Sequence, residues 1–531
     1  MKRILSVLAF IYVHFLFISG CRNGNSQQPE KTSRDTAITI KNAFSGLFFD
    51  SLRMENYLNQ RAVPDTAKQL FRNFYIQRNF QYAWFDSSGL AEQAQNFWSL
   101  QSNYIDYSGD SAIYNVYLNR WMDSISSNGV NSLPDSTRLG VEWGLTFQFF
   151  RYANRAYSGR RSLSATDLEW FIPRKKANLL SMLDTLVKEK GKEISRYEPV
   201  NQQYQLLRNQ LKRYYDIERD SAWNPIQITQ KKIKIGDSGL IINKIRRRLL
   251  LTGDLYYSDT ITLFDDTLLL AVKRFQSRYG LAADGILGAS TLRELNKPIN
   301  DRIRQILVNM ERMRWVPEQP RGDYILVNIP EFKAHVYEAG KKIFDMEVVV
   351  GTTSNNTVIF TGNLKYVVFS PYWNIPPGIL KNEVLPAIRR NPSYLERNDM
   401  EWYNGGIRQR PGEKNPLGLV KFLFPNNYNI YLHDTPSKTL FKQTKRAFSH
   451  GCIRISEPVR LAEWLLRADS IWTTERIFSA MHSGKEKYVT LKQSVPVFIG
   501  YFTAWVDADG RLNFRDDIYG HDKKMIKKMF D

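Results

Sequence analysis

Cys452 stands in the tight run Ser449-His450-Gly451-Cys452, with His433 nineteen residues upstream and Tyr431 two residues before that. It is one of only two cysteines in the chain. A thiol attacks as its thiolate, and a nearby imidazole can take its proton. Gly451 lets the backbone turn sharply, so that the amides of Gly451 and Cys452 could converge on a developing oxyanion. Two other readings fit the same residues. A lone cysteine is commonly a small buried hydrophobe. Cys452, His450 and His433 could also ligate zinc, although His-x-Cys with one distant histidine is a poor tetrahedral set. Spacing alone leaves catalysis and a buried cysteine equally open.

The elements around the thiol are strands. From Tyr324 the apolar period changes to two, over Tyr324–Ile329, Ala334–Tyr337, Ile343–Val350 and Lys365–Phe369. Residues 376–416 break that pattern with prolines and glycines and read as a long irregular insertion, a candidate lid beside the site. After Cys452, Ser456 reads as the cap of a helix bearing Leu461, Trp464 and Leu465, which would place the thiol close to a helix N-terminus.

His433 followed by Ser449-His450-Gly451-Cys452-Ile453-Arg454 resembles the signature of the L,D-transpeptidase catalytic domain (the YkuD-type fold), an upstream His and then S-H-G-C-I/V-R. Tyr324 to Pro330, Val349-Val350-Gly351 and Pro371 to Pro377 agree with it. Val358 departs from it, standing where many members carry proline, which is expected to alter a turn and not the chemistry. The resemblance implies that Cys452 attacks the carbonyl of the third stem residue and expels the terminal D-Ala. His433 would be the general acid and base, and the backbone amides of Gly451 and Cys452 would hold the oxyanion. A second stem's amine would then resolve the thioester into a 3→3 cross-link. Ser449 and His450 would shape the turn. Arg454 would hold a substrate carboxylate or sit in a structural salt bridge. Tyr431 and Trp373 are further supporting or substrate-binding candidates. No metal or organic cofactor is required, and His335, His482 and His521 receive no role. A carboxypeptidase or endopeptidase acting on stem peptides would share the nucleophile. A non-catalytic wall-binding lipoprotein would need none of it.

At 531 residues the chain exceeds one core. Its 43% hydrophobic and 13% aromatic content excludes general disorder. The expected class is multidomain α+β: a mainly helical scaffold domain, a small three-helix peptidoglycan-binding domain and a β-rich catalytic domain. Residues 38–225 carry helical spacing and an aromatic-rich core, with no catalytic constellation. They resemble the scaffold domain of large L,D-transpeptidases. Residues 231–297 carry Phe275-Gln276, Gly280-Leu281, Asp284-Gly285, Gly288, Thr291 and Leu295. That string is similar to the peptidoglycan-binding domain, and Ser290-Thr291 read as caps of its last helix. A connecting helix over 298–320 starts at Asn300 and presents Ile303, Ile306, Leu307, Met310 and Met313 on one face. The catalytic domain then spans 322–500, with 376–416 as lid and 501–531 as its C-terminal extension.

Lys2 and Arg3 precede a mostly apolar stretch ending Ile18-Ser19-Gly20-Cys21, which resembles a lipoprotein signal with its cleavage box. Residues 1–20 would be removed, Cys21 lipidated, and 21–37 left as a polar tether. Cys452 would then have no partner within the chain, which suits a reactive thiol. The net charge of +21 suits an anionic surface. Export points away from nucleic acid and toward cell-wall polymer or lipid headgroups. The expected place is the periplasmic side of the envelope, anchored in the outer membrane. The expected partners are peptidoglycan stem peptides and glycan, with the membrane reached through the lipid.

Overall fold

The computed structural model describes residues 33–531 except 40, 42, 44, 129–132, 161–162, 165, 173, 175–176, 199–200, 221–222, 228–229, 258–259 and 317–321. The expected signal, Cys21 and most of the tether lie outside the described residues. Two compact units emerge. One takes the chain up to Asn96 with Asn115–Phe150 and Leu179–Lys192; the other takes Phe97–Tyr114, Arg151–Asn178 and Glu193–Asp531.

The first unit is helical around an aromatic core in which Phe71, Phe74, Tyr75 and Trp84 are buried. A carboxylate is buried among them. Glu142 accepts hydrogen bonds from the amides of Ala83 (2.6 Å) and Trp84 (2.9 Å) and from the Tyr75 hydroxyl (2.8 Å). Those donors offset part of the cost of burial, which still pushes the carboxyl up to about 7.

In the second unit, residues 231–297 contain the helices Leu240–Thr252, Asp266–Arg278 and Ala289–Leu295. Gln276 explains much of their motif. Its amide nitrogen donates to Asp284 (2.8 Å), the Ile286 carbonyl (2.9 Å) and Thr291 (3.2 Å), and its oxygen accepts from Gly285 N (2.8 Å). Thr291 is therefore spent on Gln276, and the last helix starts at Gly288 with no side-chain cap. The next helix likewise begins after Pro298 and not at Asn300. It runs Ile299–Trp315 and is buried nearly all round, not on one apolar face alone. Its polar residues are ion-paired, Arg302 with Glu294 (2.6 Å), Arg312 with Asp522 (2.6 Å) and Arg314 with Glu311 (2.5 Å). Such pairing is what permits charges inside.

The β-rich region is a nine-stranded sheet. In order its strands are Ala447–Ser449, Lys341–Gly351, Ile453–Ile455, Leu432–His433, Val420–Leu423, Phe360–Phe369, Lys487–Gly500, Tyr324–Asn328 and Lys333–Glu338. Lys333–Glu338 also pairs with Lys341–Gly351, so the sheet returns on itself. Val348, Val367, Phe422, Ile453, Ile455 and Val497 line its core. The 376–416 segment is not irregular. It holds short helices, Leu385–Arg390 and Tyr394–Arg397 among them, and two strands, Met400–Tyr403 and Gly406–Gln409. These strands form a three-stranded sheet with Trp373–Asn374. Ile375, Val384 and Ile407 make a small core of their own. Pro376 and Pro377 sit at a helix start, where no hydrogen bond is lost, so they mark a boundary within order.

Candidate functional site

Two very short strands place the chemistry. Leu432–His433 runs parallel to Ile453–Ile455, with Leu432 opposite Ile453 and His433 opposite Arg454. The Ile453 amide donates to the Tyr431 carbonyl (3.1 Å), extending the pairing by one step. Side chains alternate along a strand, so positions 431, 433, 452 and 454 share one face. Leu432 and Ile453 point into the core and are wholly buried. Tyr431, His433, Cys452 and Arg454 are thereby brought together.

His433 is buried, and its ring lies 5.7 Å from that of Tyr431. Its Nδ1 lies 2.5 Å from the Asp434 carbonyl, which makes that nitrogen the N–H donor and leaves Nε2 as the basic nitrogen. Burial, followed by the Arg454 charge, lowers the imidazole to about 4. At neutral pH it is therefore an uncharged base.

The Cys452 thiol points elsewhere. It donates to the Asn429 carbonyl (3.5 Å), and no hydrogen bond joins it to His433 among the described residues. Burial pushes the thiol up, while hydrogen bonds from the Tyr431 amide and hydroxyl, followed by the Arg454 charge, pull it down. Burial, then the neighbouring sulfur, drives the Tyr431 phenol well above its ordinary range, so it remains a donor. Arg454 is half-buried with Nε unpartnered, and no carboxylate forms an ion pair with it among the described residues.

The turn differs from expectation at two points. Gly451 is glycine for its φ of +112°. Its amide, expected to be an oxyanion donor, instead donates to the Ser449 hydroxyl (3.1 Å), which itself donates to the Cys452 carbonyl (2.6 Å). Ser449 thus closes the turn on itself, and the Cys452 amide has no hydrogen-bond acceptor among the described residues. Nor does the thiol lie at a helix N-terminus. The strand Ile453–Ile455 intervenes before the helix Pro458–Leu466, whose N-cap is Glu457. Ser456 is drawn off to accept from the Glu347 amide (3.0 Å). His450 is half-exposed, its Nε2 3.4 Å from Glu383 of the 376–416 segment. Trp373 lies in the small sheet, packed against the cluster of Ile375, Val384 and Ile407. His335 is ion-paired with Glu331 (3.0 Å). Among the described residues no group of three or more His, Cys, Asp or Glu could hold a metal.

Sequence reasoning missed Asn429, whose main-chain carbonyl receives the thiol. Side-chain motifs cannot signal a backbone acceptor. The residue takes a left-handed φ of +56°, which asparagine tolerates.

The fold is thus a mixed α+β one with a thiol, an uncharged imidazole and an unpaired guanidinium on one face of a β-sheet. Residues 322–477 match the L,D-transpeptidase catalytic domain, 69–211 the scaffold domain and 246–295 the peptidoglycan-binding domain. The chain therefore carries an L,D-transpeptidase catalytic domain, preceded in sequence by a scaffold domain and a peptidoglycan-binding domain. It is similar to a Haemophilus influenzae protein provisionally named an L,D-transpeptidase, at 32% identity over 42% of this chain. The match spans about half (49%) of that relative's length. Solved L,D-transpeptidases from Xylanimonas cellulosilytica (14% identity, 52% of this chain, 100% of that one, TM-score 0.17) and Stackebrandtia nassauensis (16%, 52%, 98%, 0.22) are more distant.

Two measurements follow from the electrostatics. Tyr431→Phe removes a donor to the sulfur, so alkylation of Cys452 by iodoacetamide should slow at neutral pH and its pH profile should shift upward. An unmoved profile would remove Tyr431 from the thiol's environment. His433 binds its proton less readily folded (about 4) than unfolded (ordinarily near 6.5), so stability should fall as pH drops through that window. The loss is about 3 kcal/mol when complete. Urea unfolding between pH 7 and 4 should show this slope reduced in His433→Asn; an identical slope would contradict a buried neutral His433.

Proposed function

We propose that the protein is an L,D-transpeptidase that works through a Cys452 thioester. The supporting observation is the register that puts His433 beside Arg454 and Tyr431 beside Cys452 on one face, with Nδ1 of His433 tied to a backbone carbonyl. The thiol leaves the Asn429 carbonyl by rotation about its side chain and gives its proton to Nε2 of His433. The sulfur bonds to the carbonyl carbon of the third stem residue. The bond from that carbon to the nitrogen of the terminal D-Ala breaks, and the imidazolium returns the proton to the leaving amine. The Cys452 amide receives the oxyanion, and Tyr431 holds the sulfur through its hydroxyl. An amine of a second stem then attacks the thioester, loses its proton to His433, and frees the thiol with a 3→3 cross-link made. Arg454 is suited to a substrate carboxylate because no carboxylate pairs with it among the described residues.

Residues 231–297 would hold the enzyme on peptidoglycan. Lipid on Cys21 would hold it on the periplasmic side of the envelope, in the outer membrane. Cys21→Ser should move the protein from the membrane to the soluble fraction with its acyl transfer intact; unchanged fractionation refutes the anchor.

Because thiol and base serve one step, their losses should not add. Cys452→Ala or His433→Ala alone should abolish nearly all D-Ala release from tetrapeptide stems, with the double variant little worse. Product masses from purified wall fragments give the reaction: a cross-linked dimer supports transpeptidation, a free tripeptide alone means that water is the acceptor. Full activity in His433→Ala at neutral pH would sink the assignment.

A further inference from the structure

Thr357 is buried between the two glycines that mark the catalytic motifs. Its hydroxyl accepts from the Gly351 amide (2.9 Å) and donates to the Gly451 carbonyl (2.8 Å). Its own amide donates to the Tyr519 hydroxyl (3.3 Å), and that hydroxyl donates to the Gly351 carbonyl (2.7 Å). Four hydrogen bonds thus join the strand end, the following loop, the C-terminal segment and the catalytic turn.

The approach is possible because Gly351 has no side chain. A Cβ there would lie 2.0 Å from the Asn355 carbonyl oxygen and 2.9 Å from Thr357 N, both backbone atoms that would have to shift. Gly451 is different: a Cβ would meet nothing closer than the Asn356 oxygen at 3.6 Å, so its φ is what requires glycine. The Gly451 carbonyl belongs to the same planar peptide as the Cys452 amide. Fixing one end of a rigid plane fixes the direction of the other, and a donor on the oxygen polarises the N–H opposite it. That N–H has no acceptor among the described residues.

We infer that Thr357, held in place by Tyr519, is a positioning residue that aims the Cys452 amide at the oxyanion formed when Cys452 is acylated. The inference rests on the reading of Cys452 as an acyl acceptor. Its substrate-independent consequence is a split between two reactions of the same thiol. Acylation by p-nitrophenyl acetate forms a thioester and expels p-nitrophenolate through an oxyanion. Alkylation by iodoacetamide is a direct displacement of iodide and forms none.

The test uses the full chain and its Thr357→Val, Thr357→Ser and Tyr519→Phe variants, with adducts located at Cys452 by peptide mass. Thr357→Val should acylate about tenfold more slowly or worse, within the cost of a weakened oxyanion donor, with alkylation within about twofold of wild type. Thr357→Ser keeps the hydroxyl and should restore acylation. Tyr519→Phe should show the same split more weakly, and it decides the matter if Thr357→Val does not fold. Wild-type acylation in the Val variant, or acylation and alkylation falling together, would overturn the inference while leaving the nucleophile in place. Wild-type protein alkylated at Cys452 but never acylated there would overturn both.

Discussion

The site depends on one register. Leu432 and His433 pair with Ile453 and Arg454, and this two-residue parallel ladder fixes which side chains face each other. A slip of one residue would send His433 into the core and Leu432 to the thiol's face. Two-residue strands hold no register by themselves. This pair is clamped between Val420–Leu423 on one side and Lys341–Gly351 on the other. Leu432, Ile453, Phe422 and Val348, all wholly buried, make any slip a loss of core packing.

Burial then sets the chemistry. Burial lowers His433, raises Cys452 and lowers Arg454. Each shift disfavours charge, so the resting site is a neutral thiol beside a neutral imidazole and not an ion pair. The arrangement is the reverse of an electropositive helix N-terminus that would hold a thiolate in advance. In the proposed mechanism the proton moves when the thiol turns, and the Tyr431 hydroxyl and the Cys452 amide are the dipoles that would meet the resulting charge.

Cys452, His433 and the β-rich domain were legible in the sequence because they are side-chain facts: residue types in a specific order, and a period of two. Tyr431 and Arg454 follow from the same period once the strands are known. The parts not legible are backbone facts. Nothing in the letters says that Ser449 would take the Gly451 amide, that Asn429 would receive the thiol, or that Thr357 would reach Gly451. Ser456 and Asn300 read as caps, but a capping side chain is free to bond elsewhere, as Ser456 does with Glu347. The 376–416 segment read as irregular because its helices and strands are only a few residues long and its prolines and glycines interrupt any period. The Ile299–Trp315 helix read as one-faced because buried ion pairs look like a solvated surface in sequence.

The placement of the thiol at Asn429 bears on how far this resting state is from a reactive one. An S–H donor is weak, so leaving a carbonyl 3.5 Å away costs little compared with a hydrogen bond between stronger groups. Rotation about one side-chain bond is fast, on the picosecond-to-nanosecond scale where packing permits. His433, by contrast, cannot travel: its Nδ1 is held by the Asp434 carbonyl and its ring is closed in by Tyr431. In the proposed mechanism the base is therefore the fixed partner and the sulfur the moving one. Cys452 lies opposite Tyr431 and one register step from His433, so the sulfur starts on the same face as the imidazole. In the proposed mechanism reactivity turns on the proton's destination and the aim of the Cys452 amide, both tied to backbone contacts, and not on any rearrangement of the sheet.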